Sequence, residues 1–192
     1  MTFVSKFKRW SRLGYRSELK IHNFLTFFCA AALIVGCDGT YSGEGCFVAG
    51  TLVATPSGSV AIEALKAGQE ALAYDELAGK IVVAPIDKIK VEVADQTLLF
   101  QLENGLSFEV TADHPLYDSL KGVWRPAGQW QVGESFFGNS AENTGVSLGI
   151  RAVTSLRKAA PISVYDLQIR RYQNAFIGGV LAHFYWPSGA KR

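Results

Sequence analysis

The sequence predicts an all-β fold. Short apolar runs recur along the chain after residue 46, and turns that contain glycine separate them. No segment of that region keeps apolar residues at the spacing of an amphipathic helix. Many short strands punctuated by glycine are typical of sandwiches and barrel-like folds. A chain of 192 residues is long enough for one such domain plus appendages.

The runs that predict strands follow one another at short intervals. They cover residues 51–54, 70–74, 80–93, 97–102, 106–110, 150–156, 162–169 and 180–182. Between them, residues 59–65 predict one short turn, and the stretch 138–145, which contains asparagine and serine, predicts a surface loop. We find no internal repeat and no low-complexity segment.

A first hairpin is predicted at Asn104-Gly105, because these two residue types tolerate the positive φ angles of a tight turn. Apolar and polar residues alternate on both sides of it, which places Thr111 at the end of a strand and opposite the apolar face. Pro115 disfavours the helical region for His114 and holds it extended. We therefore expect Thr111 and His114 to lie at one rim of the sheet.

A second hairpin is predicted at Gly178-Gly179, and it brings His183 to its far end. On the preceding strand, Asp166 shares a face with Val164 and Gln168. The candidate functional residues from this region are therefore Thr111 and His114, which follow the first hairpin, Asp166 on the strand before the second, and His183 at its end.

The charge of the chain is concentrated in its first residues. The formal net charge is +2, but residues 1–23 carry +5 and the remainder carries −3. The basic character therefore belongs to a leader and does not indicate a nucleic-acid partner. The thirteen uncharged residues 24–36 are short for a membrane span, which needs about 20 apolar residues. A cationic stretch before a short apolar run predicts that residues 1–36 are a signal peptide, with an uncleaved membrane anchor as the alternative.

The leader ends in Leu33-Ile34-Val35-Gly36-Cys37, which resembles the lipobox of bacterial lipoproteins. The resemblance implies cleavage before Cys37, a lipid on its sulfur, and an exported protein held at the membrane of the bacterial cell envelope. Residues 37–45 then form a Gly-rich tether. Cys29 would leave with the signal, so Cys46 would be the one free thiol of the exported chain, unless an unlipidated Cys37 forms a disulfide with it.

Four motifs along the chain resemble those of the Hint family, the hedgehog and intein self-processing domains. They are the runs Cys46-Phe47-Val48-Ala49-Gly50-Thr51, Thr111-Ala112-Asp113-His114-Pro115, Val164-Tyr165-Asp166-Leu167 and Gly178-Gly179-Val180-Leu181-Ala182-His183. The resemblance covers about residues 46–183 and leaves 184–192 as a short tail. It implies a compact, horseshoe-like fold of short strands and hairpins, whose substrate is its own polypeptide backbone.

The chemistry of such a domain begins at the peptide bond between Gly45 and Cys46. The Cys46 sulfur can reach the Gly45 carbonyl carbon through a five-membered ring, and attack there exchanges the amide for a thioester. We expect His114 to act as the general acid that protonates the departing nitrogen. Thr111 is expected to hydrogen-bond the scissile amide or to orient His114, and Asp113 to shape the turn.

The resemblance assigns two later residues and shows two departures. Asp166 is expected to tune the Cys46 thiol or to relay a proton, and an exposed strand carboxylate is the alternative. His183 precedes the position where splicing members carry an asparagine, but this chain has Phe184, which has no nucleophilic group. A second family histidine is replaced by Gln173. Complete splicing is thereby excluded, and the expected outcome is a single-turnover cleavage or transfer to water, a thiol or an amine.

Two other classes of function remain open from the sequence. A catalytically degenerate relative would serve as an exported lipoprotein or binding module, and a conventional cysteine hydrolase would act on other molecules. The position of Cys46 directly behind a flexible tether opposes the hydrolase. No cofactor is predicted, and no Cys/His cluster has the spacing of a structural metal site.

Overall fold

The structure is a computed structural model that describes residues 45–184. The predicted signal peptide, lipidated Cys37, most of the tether and the tail beyond Phe184 lie outside the described residues. Within this range the all-β prediction is confirmed, since the only helical segments are two short 3-10 turns, Ile62–Ala64 and Ala127–Gln129. No described helix is long and apolar enough to cross a membrane.

Twelve strands form within the described range. They are β1 (Phe47–Val48), β2 (Leu52–Thr55), β3 (Gly58–Ala61), β4 (Glu70–Asp75), β5 (Lys80–Leu102), β6 (Ser107–Val110), β7 (Pro115–Asp118), β8 (Val123–Pro126), β9 (Ser135–Asn139), β10 (Gly145–Ile169), β11 (Asn174–Ile177) and β12 (Val180–His183).

Two long antiparallel strands, β5 and β10, carry the architecture. Their pairing runs from Ile150 opposite Leu102 to Ile169 opposite Ile86, with register shifts along the way. The sequence predicted two separate strands in each of these stretches, which was wrong. The residues between the predicted strands are part of one continuous pairing that contains β-bulges. Such bulges bend and twist a strand. Each long strand can therefore take part in more than one sheet.

The short strand β1 is inserted between β10 and β6. Phe47 lies opposite Tyr165 on one side and opposite Val110 on the other. Phe47 is fully buried in the main apolar core together with residues of both long strands, among them Phe100 and Leu167. The start of the domain is thus held in the middle of the fold, and Cys46 immediately precedes this central strand.

The two predicted hairpins turn as expected in one case and differently in the other. Gly178 and Gly179 both have positive φ, and Ile177 pairs with Val180 across them, which is a two-residue turn. At the first hairpin only Gly105 has positive φ, and its N–H bonds the Leu102 carbonyl at 3.1 Å. That turn is therefore a three-residue connection in which glycine occupies the left-handed position.

Two further expectations need correction. The predicted loop 138–145 begins only after β9, because Gly138 is a buried strand residue. A Cβ atom on Gly138 would lie 2.5 Å from the Gly179 carbonyl oxygen, so glycine here permits close contact with the neighbouring hairpin. The predicted single turn at 59–65 contains the end of β3 as well as a 3-10 turn.

Candidate functional site

Two hydrogen bonds to Thr111 hold the backbone of Cys46 in place. Its amide N–H donates to Thr111 Oγ1 at 2.9 Å, and its carbonyl accepts from the Thr111 N–H at 2.9 Å. The nitrogen of the Gly45–Cys46 peptide bond is therefore hydrogen-bonded to the side chain of Thr111. The side chain of Thr111 thus makes the contact to the scissile amide that the sequence considered, and its carbonyl accepts from the backbone N–H of His114 at 3.3 Å.

His114 lies against the same peptide from the other side. It is fully buried, with its ring 4.6 Å from that of Phe47 and 5.6 Å from that of Phe184. Neither ring nitrogen has a hydrogen-bond partner among the described residues. Burial lowers the pKa of His114 to about 3, with a smaller opposing effect from the Gly45 backbone. At neutral pH the ring is uncharged.

Gly45 packs directly on the backbone of His114. A Cβ atom at position 45 would lie 2.1 Å from His114 Cα and 2.5 Å from its backbone nitrogen. A clash with backbone atoms cannot be relieved by turning a side chain, so only glycine fits here. This contact joins residues far apart in the sequence and explains why glycine stands at position 45.

The Cys46 side chain is almost fully enclosed, with an exposed fraction of 1%. Its Sγ contacts Glu92 Oε2 at 3.8 Å. Burial raises the pKa of the Cys46 thiol above its ordinary value, and the negative charges of Asp166, Glu92 and Asp113 raise it further. Lys90 has the opposite effect. The resting site therefore contains a protonated thiol and an uncharged imidazole.

Asp166 is a buried strand residue, with an exposed fraction of 2%. Phe47 pairs with Tyr165, and continuing this antiparallel register by one residue places Cys46 opposite Asp166. One carboxylate oxygen of Asp166 accepts from the Leu167 N–H at 3.0 Å. Asp166 is therefore not an exposed strand carboxylate, and its charge acts on the thiol.

Glu92 and Lys90 were not predicted from the sequence. Both lie on β5 and form an ion pair with each other, with side chains that are each 30% exposed. In the alternating run that contains them, Val91 and Val93 are the exposed residues. Alternation alone cannot say which face of a strand is inward, and apolar content favoured the wrong face here.

The second hairpin ends at His183, and the ring of the next residue, Phe184, contacts the ring of His114. His183 pairs with Asn174 in the sheet, and its ring lies 4.9 Å from that of Trp124. Burial lowers its pKa. Phe184 is fully buried, and its N–H bonds the Gln173 carbonyl at 2.8 Å. A hydrocarbon ring thus occupies the position where the sequence resemblance places the asparagine of splicing members.

The site brings Cys46, Thr111, His114 and Asp166 together around one peptide bond, and sequence comparison identifies the family in which they lie. The profile of the pretoxin HINT domain family matches residues 52–184. The chain belongs to that family. Among the described residues of this Hint domain, no cluster of three or more His, Cys, Asp or Glu side chains could hold a metal ion.

Solved structures place the Hint domain among intein-like folds. The bacterial intein-like domain from Clostridium thermocellum superimposes with a TM-score of 0.66 at 26% identity, over 72% of this chain and 97% of that one. A DnaB intein from Synechocystis has a TM-score of 0.66 at 17% identity, over 74% of this chain and 100% of the intein, which is a likeness of fold. The Hint domain thus has the fold of a self-processing domain.

A curated relative matches a shorter stretch. Over 72 residues, 36% of the chain, the sequence is 38% identical to the DNA polymerase II large subunit of Thermococcus kodakarensis. The match spans only 4% of that protein. Nothing about polymerase activity follows for this Hint domain.

Proposed function

We propose that this Hint domain carries out an N–S acyl shift at Gly45–Cys46, which gives a thioester and then N-terminal cleavage or acyl transfer without splicing. One observation carries the proposal. The nitrogen that must leave, the Cys46 amide, is the atom held by Thr111 Oγ1, and the glycine on the other side of the bond fits only because it lacks a Cβ. A thiol in a merely structural domain would require neither feature.

The proton inventory of the shift is balanced within the site. The thiol loses one proton when its sulfur bonds to the Gly45 carbonyl carbon, and the Cys46 nitrogen gains one when the C–N bond breaks. A neutral His114 can take up a proton on its unprotonated ring nitrogen as negative charge develops, and then donate it to the nitrogen. In this proposal His114 is charged only during the reaction, which agrees with its pKa of about 3 at rest.

The reaction is proposed to stop after its N-terminal half. Splicing members cyclise an asparagine at the residue after the late histidine, and Phe184 offers only a buried ring at that place. His183 then has no asparagine to assist, and we propose that it contributes to the polarity around His114. If Cys37 carries a lipid, cleavage before Cys46 would release the β domain from the membrane of the cell envelope.

The experiment that tests the proposal measures the intact mass of the full-length protein, purified in detergent, with and without added thiol at neutral pH. A break between residues 45 and 46 that thiol accelerates is expected in the wild type, and complete loss of this break is expected in Cys46→Ala. A folded wild type that after prolonged incubation shows neither a break by mass nor a second N-terminus at Cys46 by sequencing would instead favour the degenerate β module.

A further inference from the structure

Over residues 90–93, strand β5 turns its polar side chains toward the site and its two valines toward solvent. Val91 and Val93 have exposed fractions of 57% and 72%, whereas the side chains of Lys90 and Glu92 are each 30% exposed. Half-burying an ammonium and a carboxylate costs desolvation energy, while exposing two valines forgoes apolar burial. Packing alone would favour the opposite face inward.

Strand pairing directs this ion pair at the nucleophile. Lys90 lies opposite Asp166 and Glu92 lies opposite Val164 on β10, the strand that also pairs with β1 just after Cys46. One oxygen of Glu92 pairs with Lys90 Nζ, and the other contacts Cys46 Sγ at 3.8 Å. A single carboxylate therefore bridges the amine of Lys90 and the sulfur of Cys46.

We propose that Lys90 is an internal acceptor for the acyl group, so that the thioester at Cys46 is converted into an isopeptide bond between the Gly45 carbonyl and Lys90 Nζ. This inference rests on the proposed function, since it needs the thioester. It identifies the amine acceptor as Lys90, and it predicts that the upstream segment can stay covalently attached to the Hint domain.

The step balances around Glu92. The Lys90 ammonium passes one proton to the Glu92 carboxylate and becomes a nucleophilic amine. Its nitrogen bonds to the thioester carbon, the C–S bond breaks, and the sulfur leaves as a thiolate. The second proton of the reacting nitrogen is lost as the amide forms; one of the two protons restores the Cys46 thiol and the other is released to solvent. The exchange of a thioester for an amide is downhill, and proximity replaces a second-order encounter.

The product has a distinctive signature. Its total mass equals that of the unprocessed chain, yet Cys46 has a free α-amine and Lys90 no longer has a free side-chain amine. N-terminal sequencing of the full-length protein should therefore detect Cys46 as a second start. Proteolytic digestion should yield a branched peptide in which Gly45 is joined to Lys90.

Lys90→Arg is the variant that isolates the amine. Arginine preserves the positive charge and the pairing with Glu92, but its guanidinium stays protonated and is not a nucleophile near neutral pH. We expect Lys90→Arg to lose the branched peptide completely and to release the upstream segment at least several-fold more in water or added thiol. Lys88→Arg, on the same strand, is the matched control and should form the branched product as the wild type does.

The outcomes separate the two proposals. Thioester trapping by thiol in both wild type and Lys90→Arg, with no branched peptide in either, would overturn the acceptor role and leave the acyl shift intact. Absence of any break before Cys46, with or without thiol, would overturn the proposed function and this inference with it. A thermal unfolding midpoint for Lys90→Arg close to that of the wild type confirms that a loss of product is not a loss of fold.

Discussion

The two ends of this Hint domain both contact His114, but the contacts differ in kind. At the N-terminal end, Thr111 holds the Cys46 nitrogen and His114 lies on Gly45. At the C-terminal end, Phe184 inserts a buried aromatic ring beside the same His114. The first end surrounds a peptide bond with polar and steric constraints, whereas the second contributes packing. Under the proposed function, the first end would carry out the N-terminal half-reaction, and the second would contribute packing to it.

After loss of the nucleophile itself, the largest expected effect on the N-terminal end follows from removing the imidazole. His114→Ala should slow cleavage by about 10²–10⁴-fold, the usual contribution of positioned proton transfer. The measurement is the rate of thiol-dependent release at saturating thiol. A loss of less than about tenfold would contradict a proton-transfer role.

The pH profile sharpens the same test. The pKa of His114 is lowered to about 3, and the pKa of the Cys46 thiol is raised above its ordinary value. Between those two values, the thiolate fraction rises with pH as fast as the imidazolium fraction falls, so the wild-type rate should be flat from about pH 5 to 8. In His114→Ala only the thiolate dependence remains, and the rate should rise about tenfold per pH unit. A flat profile in the variant would break the argument.

Gly45→Ala should give the next largest effect. The added Cβ would meet backbone atoms of His114 at 2.1 to 2.5 Å, so the chain on one side must move. Overpacking of this kind typically costs about 1–3 kcal/mol, and here the displaced atoms belong to the reacting bond. We expect at least tenfold slower cleavage together with a lower unfolding midpoint, measured by thiol release and thermal denaturation. Gly50→Ala, where a Cβ meets nothing within 4 Å, controls for loss of glycine alone, although its positive φ adds some strain.

Acid stability should also depend on His114. Its pKa is lower in the folded protein than in the unfolded chain, where it is near 6.5, so the unfolded state binds the extra proton first. The stabilisation is complete above about pH 6.5 and is lost as pH falls toward 3. Unfolding midpoints measured across that window should fall for the wild type more steeply than for His114→Gln. Parallel curves would show that the histidine is not the group that titrates.

The smallest effect on chemistry is expected at the C-terminal end. Phe184→Leu keeps an apolar side chain in the pocket beside His114 and should change the N-terminal cleavage rate by less than about threefold. Its effect on stability should be of the size of other core substitutions, about 1–3 kcal/mol. Rates and urea midpoints can be compared in one series with the variants above. A rate loss comparable to that of His114→Ala would show that the two ends are coupled after all.

Local signals were sufficient for the second hairpin and for the position of the first, but not for the turn type of the first. The contact between Thr111 and the Cys46 amide was one of two alternatives that the sequence left open. Gly178-Gly179 predicted a two-residue turn correctly, because both φ values there require glycine or a similar residue. The hydrogen bond from the Cys46 N–H to Thr111 lies where the end of one predicted strand meets the start of the domain. The inward face of Lys90 and Glu92 was not predicted, since alternation gives two faces without naming the buried one. The contact between Gly45 and His114 joins distant residues and leaves no periodic trace in the sequence.

The close contact at Gly45 has a consequence for whatever precedes it. Any side chain at that residue would collide with the backbone of His114. Under the proposed function, a polypeptide that ends in a residue other than glycine should therefore be a poor substrate for cleavage at this position. The requirement would be set by a single absent methyl group, through a residue far away in the sequence.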